Sequence, residues 1–182
     1  MKHLLLVAGL LVTLLAGVAL AQDRKAAGEP DPKLKFFVGD WDVVVKFKIP
    51  GGDEQEGKAA CTAKLVLDGR FIKEEYKSNM MGQTLTVWQT LGYDSIKKKY
   101  VETDIHVHGS NSSTMMLQGD FSNGDKTLTL TGETLSGQTG KPVKMRTVTT
   151  IVDENRFTID WFTTDEGAKE ERTVVLTHTR KK

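Results

Sequence analysis

From Asp40 to Thr179 the chain alternates between apolar and polar residues with a period of two, and short turns interrupt the pattern at regular intervals. This alternation is typical of half-buried β-strands, whose successive side chains point to opposite faces of a sheet. In the first run Trp41, Val43, Val45, Phe47 and Ile49 share one face. The pattern predicts ten strands, over residues 40–49, 57–67, 71–78, 85–93, 99–107, 114–121, 127–134, 143–152, 156–162 and 171–179.

The links between these strands are short and rich in Asn, Asp and Gly, as in Asp68-Gly69 and Asn123-Gly124-Asp125. Such links join antiparallel neighbours, and none is long enough to hold the crossover helix of a parallel pair. An open sheet of this kind would leave two exposed edges, which closure removes. We therefore predict an all-β fold, an antiparallel up-and-down barrel of about ten strands. The alternative is a two-sheet β-sandwich.

One short amphipathic helix is predicted before the first strand. Asp31 can cap its start, Pro32 fits the first helical position, and Gly39 can end it. Leu34 and Phe37 share an apolar face. We expect this helix to plug one end of the barrel.

The first 21 residues have the features of a cleaved secretory signal. Lys2 precedes an apolar stretch from Leu4 to Leu20, which ends in the small-x-small sequence Ala19-Leu20-Ala21. The stretch is near the lower length limit for a membrane anchor and lacks a basic stop-transfer flank. We therefore expect a signal peptide over residues 1–21, a flexible lead over 22–30, and a single barrel domain over 31–182. The mature chain would have no membrane span and would be periplasmic or secreted.

Charge and cysteine content narrow the function further. Without the signal, 24 basic and 24 acidic residues remain, and this balance excludes the basic surface of a typical nucleic-acid-binding protein. Cys61 is the single cysteine, so no internal disulfide can form and the fold must rest on its core. We expect Cys61 to be a small buried residue.

The sequence Gly39-x-Trp41 opens the first strand after a short helix, and the last strand carries an arginine. This combination resembles the calycin barrels. These include lipocalins, fatty-acid-binding proteins and nitrobindins. The resemblance implies that the glycine turns the chain into the barrel. It also implies that the tryptophan closes the barrel base beneath an arginine, for which Arg180 is the first candidate and Arg172 the second.

A more specific resemblance is to the exported bacterial proteins of domain-of-unknown-function family 1579. It spans most of residues 33 to 180 and implies a fold but no activity. The residues that carry it are Phe37–Trp41, Leu65–Phe71 with Glu74–Tyr76, Leu91–Asp94 with Lys99-Tyr100, and Leu128–Gly132.

The barrel interior is the predicted ligand site, because small barrels can enclose a cavity with apolar walls. Tyr76, Gln89 and Arg146 would orient the ligand, and Glu74 would pair with Arg146. The alternative is an interior filled by side chains. The predicted ligand-binding residues are Trp41, Val43, Val45, Phe47, Ile72, Glu74, Tyr76, Leu85, Val87, Gln89, Met145 and Arg146.

The fifth predicted strand carries the most polar chemistry. One face holds Tyr100, Glu102, Asp104, His106 and His108. The other holds Val101, Thr103, Ile105 and Val107. Because unpaired buried charges are costly, we expect the polar face in solvent. The alternatives are an acid/base site at Glu102, Asp104 and His106, or a zinc site on His106-x-His108, to which adjacent strands could add only Asp120 as an obvious ligand.

Three further kinds of motif do not by themselves indicate a functional site. Glu74-Glu75 and the pairs Met80-Met81 and Met115-Met116 cannot act as paired carboxylates or copper ligands, because adjacent strand residues point to opposite faces. His178 on the last strand resembles the haem-ligating histidine of nitrobindins, but the glycine-rich opening of that family is missing. We predict no catalytic residue, no metal site and no cofactor.

These observations favour an exported, noncatalytic barrel that binds a small apolar or amphipathic molecule. The alternative is a structural or interaction module of the cell envelope with a filled core. A small enzyme and a haem-binding barrel rank below both.

Overall fold

The computed structural model describes residues 31–48, 52–80, 82–136 and 139–182. These residues form ten antiparallel strands that close into one barrel, in which each strand pairs with its neighbours in sequence and the last pairs with the first. The strands are β1 Gly39–Lys48, β2 Glu54–Val66, β3 Phe71–Met80, β4 Gln83–Asp94, β5 Lys99–His108, β6 Asn111–Ser122, β7 Thr127–Leu135, β8 Pro142–Asp153, β9 Arg156–Asp165 and β10 Glu171–Arg180.

The predicted all-β barrel is confirmed, and the sandwich alternative is wrong because β1 bonds to both β2 and β10. Several strands extend beyond their predicted ends, since backbone pairing continues past the last apolar residue. The described part of the chain holds no helix with the length and apolar character needed to cross a bilayer. The predicted signal peptide and lead, residues 1–21 and 22–30, lie outside the described residues.

The predicted helix is present as a single turn, α1 Pro32–Lys35. The Asp31 side chain accepts a hydrogen bond from the backbone N–H of Lys33 at 2.9 Å and so caps the helix. Leu34 is fully buried and Phe37 is nearly so, and both join the barrel core. The helix therefore packs its apolar side into the barrel, as expected.

The inner and outer faces of β5 are the reverse of the prediction. Tyr100, Glu102 and Asp104 are buried, whereas Ile105 and Val107 are exposed. Residues directly opposite each other in an antiparallel pair point to the same side, and Glu102 lies between Leu91 of β4 and Leu117 of β6, both buried.

The base of the barrel shows why β5 has this orientation. The Tyr100 hydroxyl donates a hydrogen bond to the Asp31 side chain, and the Tyr100 ring packs edge-on against Phe121. With Tyr100 held inward beneath α1, the two-residue period of a strand turns every second residue inward as well. The polar face of β5 thus belongs to the interior.

Candidate functional site

The end of the barrel next to α1 is closed by Trp41. This indole is fully buried, and its N–H donates to the backbone carbonyl of Phe37 at 2.8 Å. Arg180 lies opposite Trp41 in the β1–β10 pair, with its guanidinium carbon 4.1 Å from the ring centroid. The same guanidinium donates to the carbonyls of Val38 and Phe36 at 2.8 and 2.9 Å. Arg180 therefore ties the helix segment to the base through both its charge and its planar fork.

Gly39 makes this approach possible. Its φ is +132°, in a region that side-chain-bearing residues rarely adopt, and a Cβ there would lie 2.7 Å from Nη1 of Arg180. Arg172, the other candidate for the arginine, instead pairs with Asp160 at 3.1 Å.

Above Trp41 the interior is filled by a stack of rings. Phe157 packs edge-on against Trp41 with centroids 4.8 Å apart, and it also stacks in parallel on His178 with centroids 4.0 Å apart. Nε2 of His178 is 3.1 Å from the Tyr76 hydroxyl. Burial lowers the pKa of His178 to about 3, so the imidazole is neutral at physiological pH.

Beyond this stack, toward the end far from α1, the barrel interior contains a partly open cavity of about 330 Å³. This volume lies at the lower end of the range typical of small-molecule sites. Its walls are contributed by β1 to β5 and by β9 and β10. The lining residues are Val45, Phe47, Ala59, Tyr76, Ser78, Leu85, Val87, Gln89, Glu102, His106, His108, Ile159, Trp161, Val174 and Leu176.

The cavity has two unlike sides. Strands β1, β9 and β10 present aliphatic and aromatic side chains, including Phe47, Ile159 and Leu176. Strand β5 presents Glu102 and two histidines, and Gln89 stands beside them on β4. Such a division suits a molecule with one apolar and one polar part.

Behind the polar side lies a cluster of three buried carboxyl groups. Glu74, Glu102 and Asp104 have exposed fractions of 3, 6 and 1 %. Burial, followed by the nearby charge of Asp104, raises the pKa of Glu74 to about 8. Burial, then Asp104 and Glu74, raise the pKa of Glu102 well above its ordinary value. Burial also raises the pKa of Asp104, against the opposing effect of His106, whose Nε2 is 3.7 Å away.

Several polar atoms around the cavity lack partners. Among the described residues, neither carboxylate oxygen of Asp104 has a hydrogen-bond partner, and the same holds for Nε2 of His106 and of His108. The indole nitrogen of Trp161 is also buried without a partner there. Unpaired buried polar groups are costly, so this concentration marks the cavity as the place where a ligand would find bonds to make.

The residues predicted for the site divide into three groups. Those on the cavity wall are Val45, Phe47, Tyr76, Leu85, Val87 and Gln89. Those buried in the core without lining the cavity are Trp41, Val43, Ile72, Glu74 and Met145. Arg146 forms the third group, because it lies on the outer face and binds Glu170 through Nε at 2.8 Å.

The expected pairing of Glu74 with Arg146 is therefore wrong. Arg146 follows the inward Met145 in an extended strand, so its side chain must point the other way. Its guanidinium also packs over the Phe162 ring at 3.9 Å.

Sequence reasoning missed most of the cavity wall from β5, β9 and β10. These residues are Glu102, His106, His108, Ile159, Trp161, Val174 and Leu176, together with Ala59 and Ser78. The inward residues of β10 could have been predicted. If Arg180 lies on Trp41, then His178, Leu176 and Val174 lie on the same face of β10 as Arg180, because alternate residues of a strand share a face.

The metal and haem alternatives find little support in this geometry. Across residues 31–48, 52–80, 82–136 and 139–182, no three His, Cys, Asp or Glu side chains are grouped so as to hold a metal ion. His178 is not on the cavity wall, and the Tyr76 hydroxyl occupies its Nε2. An iron in the cavity would have to displace Tyr76 to reach that nitrogen.

Comparison with known proteins supports the fold. The crystal structure of Rv2717c from M. tuberculosis matches with a TM-score of 0.56 at 12 % identity, over 84 % of this chain and 99 % of that chain. At this identity the likeness concerns the fold alone. No curated protein matches the sequence significantly. The family model "Protein of unknown function (DUF1579)" matches residues 28–180, and the chain therefore belongs to the DUF1579 family.

Proposed function

We propose that the barrel binds a small amphipathic molecule in the cavity opposite α1. The observation that carries this proposal is the partly open space of about 330 Å³ with one apolar and one polar side. A barrel that served only as a structural module would gain stability from filling that space. The lower half, packed with Trp41, Phe157 and Leu34, illustrates the filled alternative.

We further propose that the protein is exported. The Lys2 flank, the apolar stretch from Leu4 to Leu20 and the Ala19-Leu20-Ala21 sequence support secretion to the periplasm or the medium. N-terminal sequencing of protein recovered from the host's envelope and medium should find a chain that begins at Gln22. A chain that retains Met1 and fractionates with the cytoplasm would contradict export.

The binding proposal is tested with N-phenyl-1-naphthylamine, an uncharged apolar dye. Trp161 lines the cavity and serves as energy donor, and Trp88, which is 49 % exposed, is first replaced by Phe to remove its signal. Saturable energy transfer from Trp161 to the dye is expected. Native mass spectrometry of protein purified from its own host should in addition show a small bound molecule.

Two phenylalanine variants locate the dye. Ala59 lines the cavity, whereas its neighbour Ala60 is exposed on the outer face of β2. Ala59→Phe should fill the cavity and abolish saturable transfer, and Ala60→Phe should leave it intact. Equal binding by the two variants, or no saturable binding by the parent protein, would contradict the proposal.

A second candidate function is acid/base catalysis on the bound molecule. It is favoured by the presence of Glu102 and His106 on the cavity wall, with Asp104 3.7 Å from His106. If it holds, the molecule that the native protein carries should be chemically altered on incubation with the parent protein. Incubation with the Glu102→Gln variant should leave the molecule chemically unchanged.

A further inference from the structure

The polar side of the cavity is rich in acidic groups and poor in positive charge. Glu102 lines the cavity, while Glu74 and Asp104 are buried behind it. None of the lining residues in the described segments is Lys or Arg. The excess of carboxyl groups makes this end of the interior favourable to a cation and unfavourable to an anion.

Six other polar groups face the carboxyl cluster from β2, β3, β4, β5 and β10. They are Cys61 from β2, Tyr76 from β3, Gln89 from β4, His106 and His108 from β5 and His178 from β10. Burial raises the pKa of Tyr76, so its phenol stays neutral, and His178 is neutral as described above. On β6, Met115 and Leu117 face the cluster and carry no charge.

Asp104 adds a second observation: Nε2 of His106 lies 3.7 Å from its Oδ2, beyond hydrogen-bond distance. Its exposed fraction is 1 %, and in the described structure both of its oxygens lack a hydrogen-bond partner. A carboxylate in this state is costly unless a donor reaches it or its immediate hydrogen-bonding network. Asp104 lies two residues from Glu102 on the same face of β5 and pairs with Gln89 across the strands, but it does not itself line the cavity.

We infer that the ligand's polar end is a protonated amine, held by the Glu102 carboxylate beside Asp104, while its apolar part lies along β1, β9 and β10. This inference rests on the proposed binding function and specifies its ligand class. A fatty acid or another carboxylate would place a negative charge against the same cluster. The indole N–H of Trp161 could donate to a neutral oxygen elsewhere on the amine.

The pH dependence of amine binding provides a second test of this inference. Without ligand, burial and then Asp104 and Glu74 raise the pKa of Glu102 well above its ordinary value. A bound ammonium group favours the ionised form of Glu102 and lowers this pKa, so binding releases a proton at any pH where the free side chain still holds one. Amine binding should therefore tighten with rising pH, by up to about tenfold per pH unit for one released proton, while the amine itself stays protonated.

The test compares three probes with the same tail: octylamine, 1-octanol and octanoate. Each is titrated against the dye complex of the full-length mature protein at about pH 6 and about pH 8. Octylamine should displace the dye at concentrations at least about tenfold below those for octanoate, as expected for opposite charges near a buried carboxylate. Its advantage should grow at the higher pH, and the octanol curve should not move.

Two variants assign the effect to Glu102. Glu102→Gln should reduce the preference for octylamine over octanoate by about tenfold or more. Glu75→Gln, which changes an exposed carboxyl bound to Lys73 on the outer face, should leave the preference unchanged. Far-ultraviolet circular dichroism verifies that both variants are folded.

The outcomes separate this inference from the binding proposal. If the dye binds and octanoate displaces it as well as octylamine does in the parent protein, the amine inference fails while the binding function stands. If Glu102→Gln keeps the full preference for the amine, the assignment to Glu102 fails. If neither the dye nor any of the three probes binds, both proposals fall together.

Discussion

Replacement of Arg180 should destabilise the protein far more than replacement of any other arginine on its strand. Two charge-assisted hydrogen bonds join Arg180 to the carbonyls of Val38 and Phe36, and its guanidinium lies on Trp41. Hydrogen bonds to charged groups contribute about 1.5–3 kcal/mol each, and a cation–π contact about 0.5–2 kcal/mol. The lower values apply because Arg180 is partly exposed. Arg180→Ala should therefore lower the free energy of unfolding by about 3–4 kcal/mol.

Arg180→Lys distinguishes the contributions of charge and geometry. An ammonium group keeps the positive charge but cannot donate to two carbonyls with the fixed spacing of the guanidinium fork. The expected loss is about 1–2 kcal/mol, close to one charge-assisted bond. If Arg180→Lys is as stable as the parent protein, the two carbonyl bonds do not contribute as argued here.

The matched control is Arg172→Ala on the same strand. Arg172 makes one ion pair with Asp160, and its side chain is 59 % exposed, so a loss below about 1 kcal/mol is expected. Urea unfolding is followed by the tryptophan fluorescence of the chain, and the slope of the free energy of unfolding against urea concentration must be equal among variants. Equal losses for Arg180→Ala and Arg172→Ala would refute the reasoning.

Three further predictions follow. Because Glu74 has a folded-state pKa of about 8, above its unfolded value, the folded state holds this proton longer and the free energy of unfolding should fall as pH rises from about 4.5 to 8. In urea titrations across this pH range, Glu74→Gln should reduce the slope of the free energy of unfolding against pH by up to about 1.4 kcal/mol per pH unit. An unchanged slope would contradict the raised pKa of Glu74. Gly39→Ala should cost more than about 2 kcal/mol, whereas Gly82→Ala, at φ +77° with no described atom near its Cβ, should cost about 1 kcal/mol in the same assay. The ring of His178 should remain neutral between about pH 5 and 8, and a titrating His178 carbon signal in NMR spectra would show that it is not buried as described.

The sequence allowed the fold to be predicted because the relevant signals are local. Period-two alternation and Asn, Asp and Gly turns each lie within a few residues, and together they define ten antiparallel neighbours. Strand ends were less accurate: β2 begins at Glu54 and not at Gly57, because the polar residues 54–56 continue the pairing with β1. The choice between Arg180 and Arg172 depended on register, which brings Trp41 opposite Arg180.

The orientation of β5 could not be predicted from its own residues. Considered alone, the strand has an apolar face with Ile105 and Val107 and a polar face with Glu102 and Asp104, and burial energetics favours the former inside. The actual orientation follows from Tyr100, whose contacts with Asp31 and Phe121 involve distant parts of the chain. Only the pairing with β4 and β6 reveals that the polar face is the inner one.

This reversal links the fold to the proposed function. Across from Glu102 stand Leu91 and Leu117, both apolar and buried, so leucine in place of Glu102 would pack well and remove a desolvation cost. The chain instead keeps a carboxyl group there, beside a cavity that the same strands could have filled. Residues that weaken the folded state and do not improve its packing are typical of binding and catalytic sites, because the requirements of function there conflict with those of stability. The closed end, held by Trp41 and Arg180, supplies the stability that allows the opposite end to keep an acidic, incompletely filled interior.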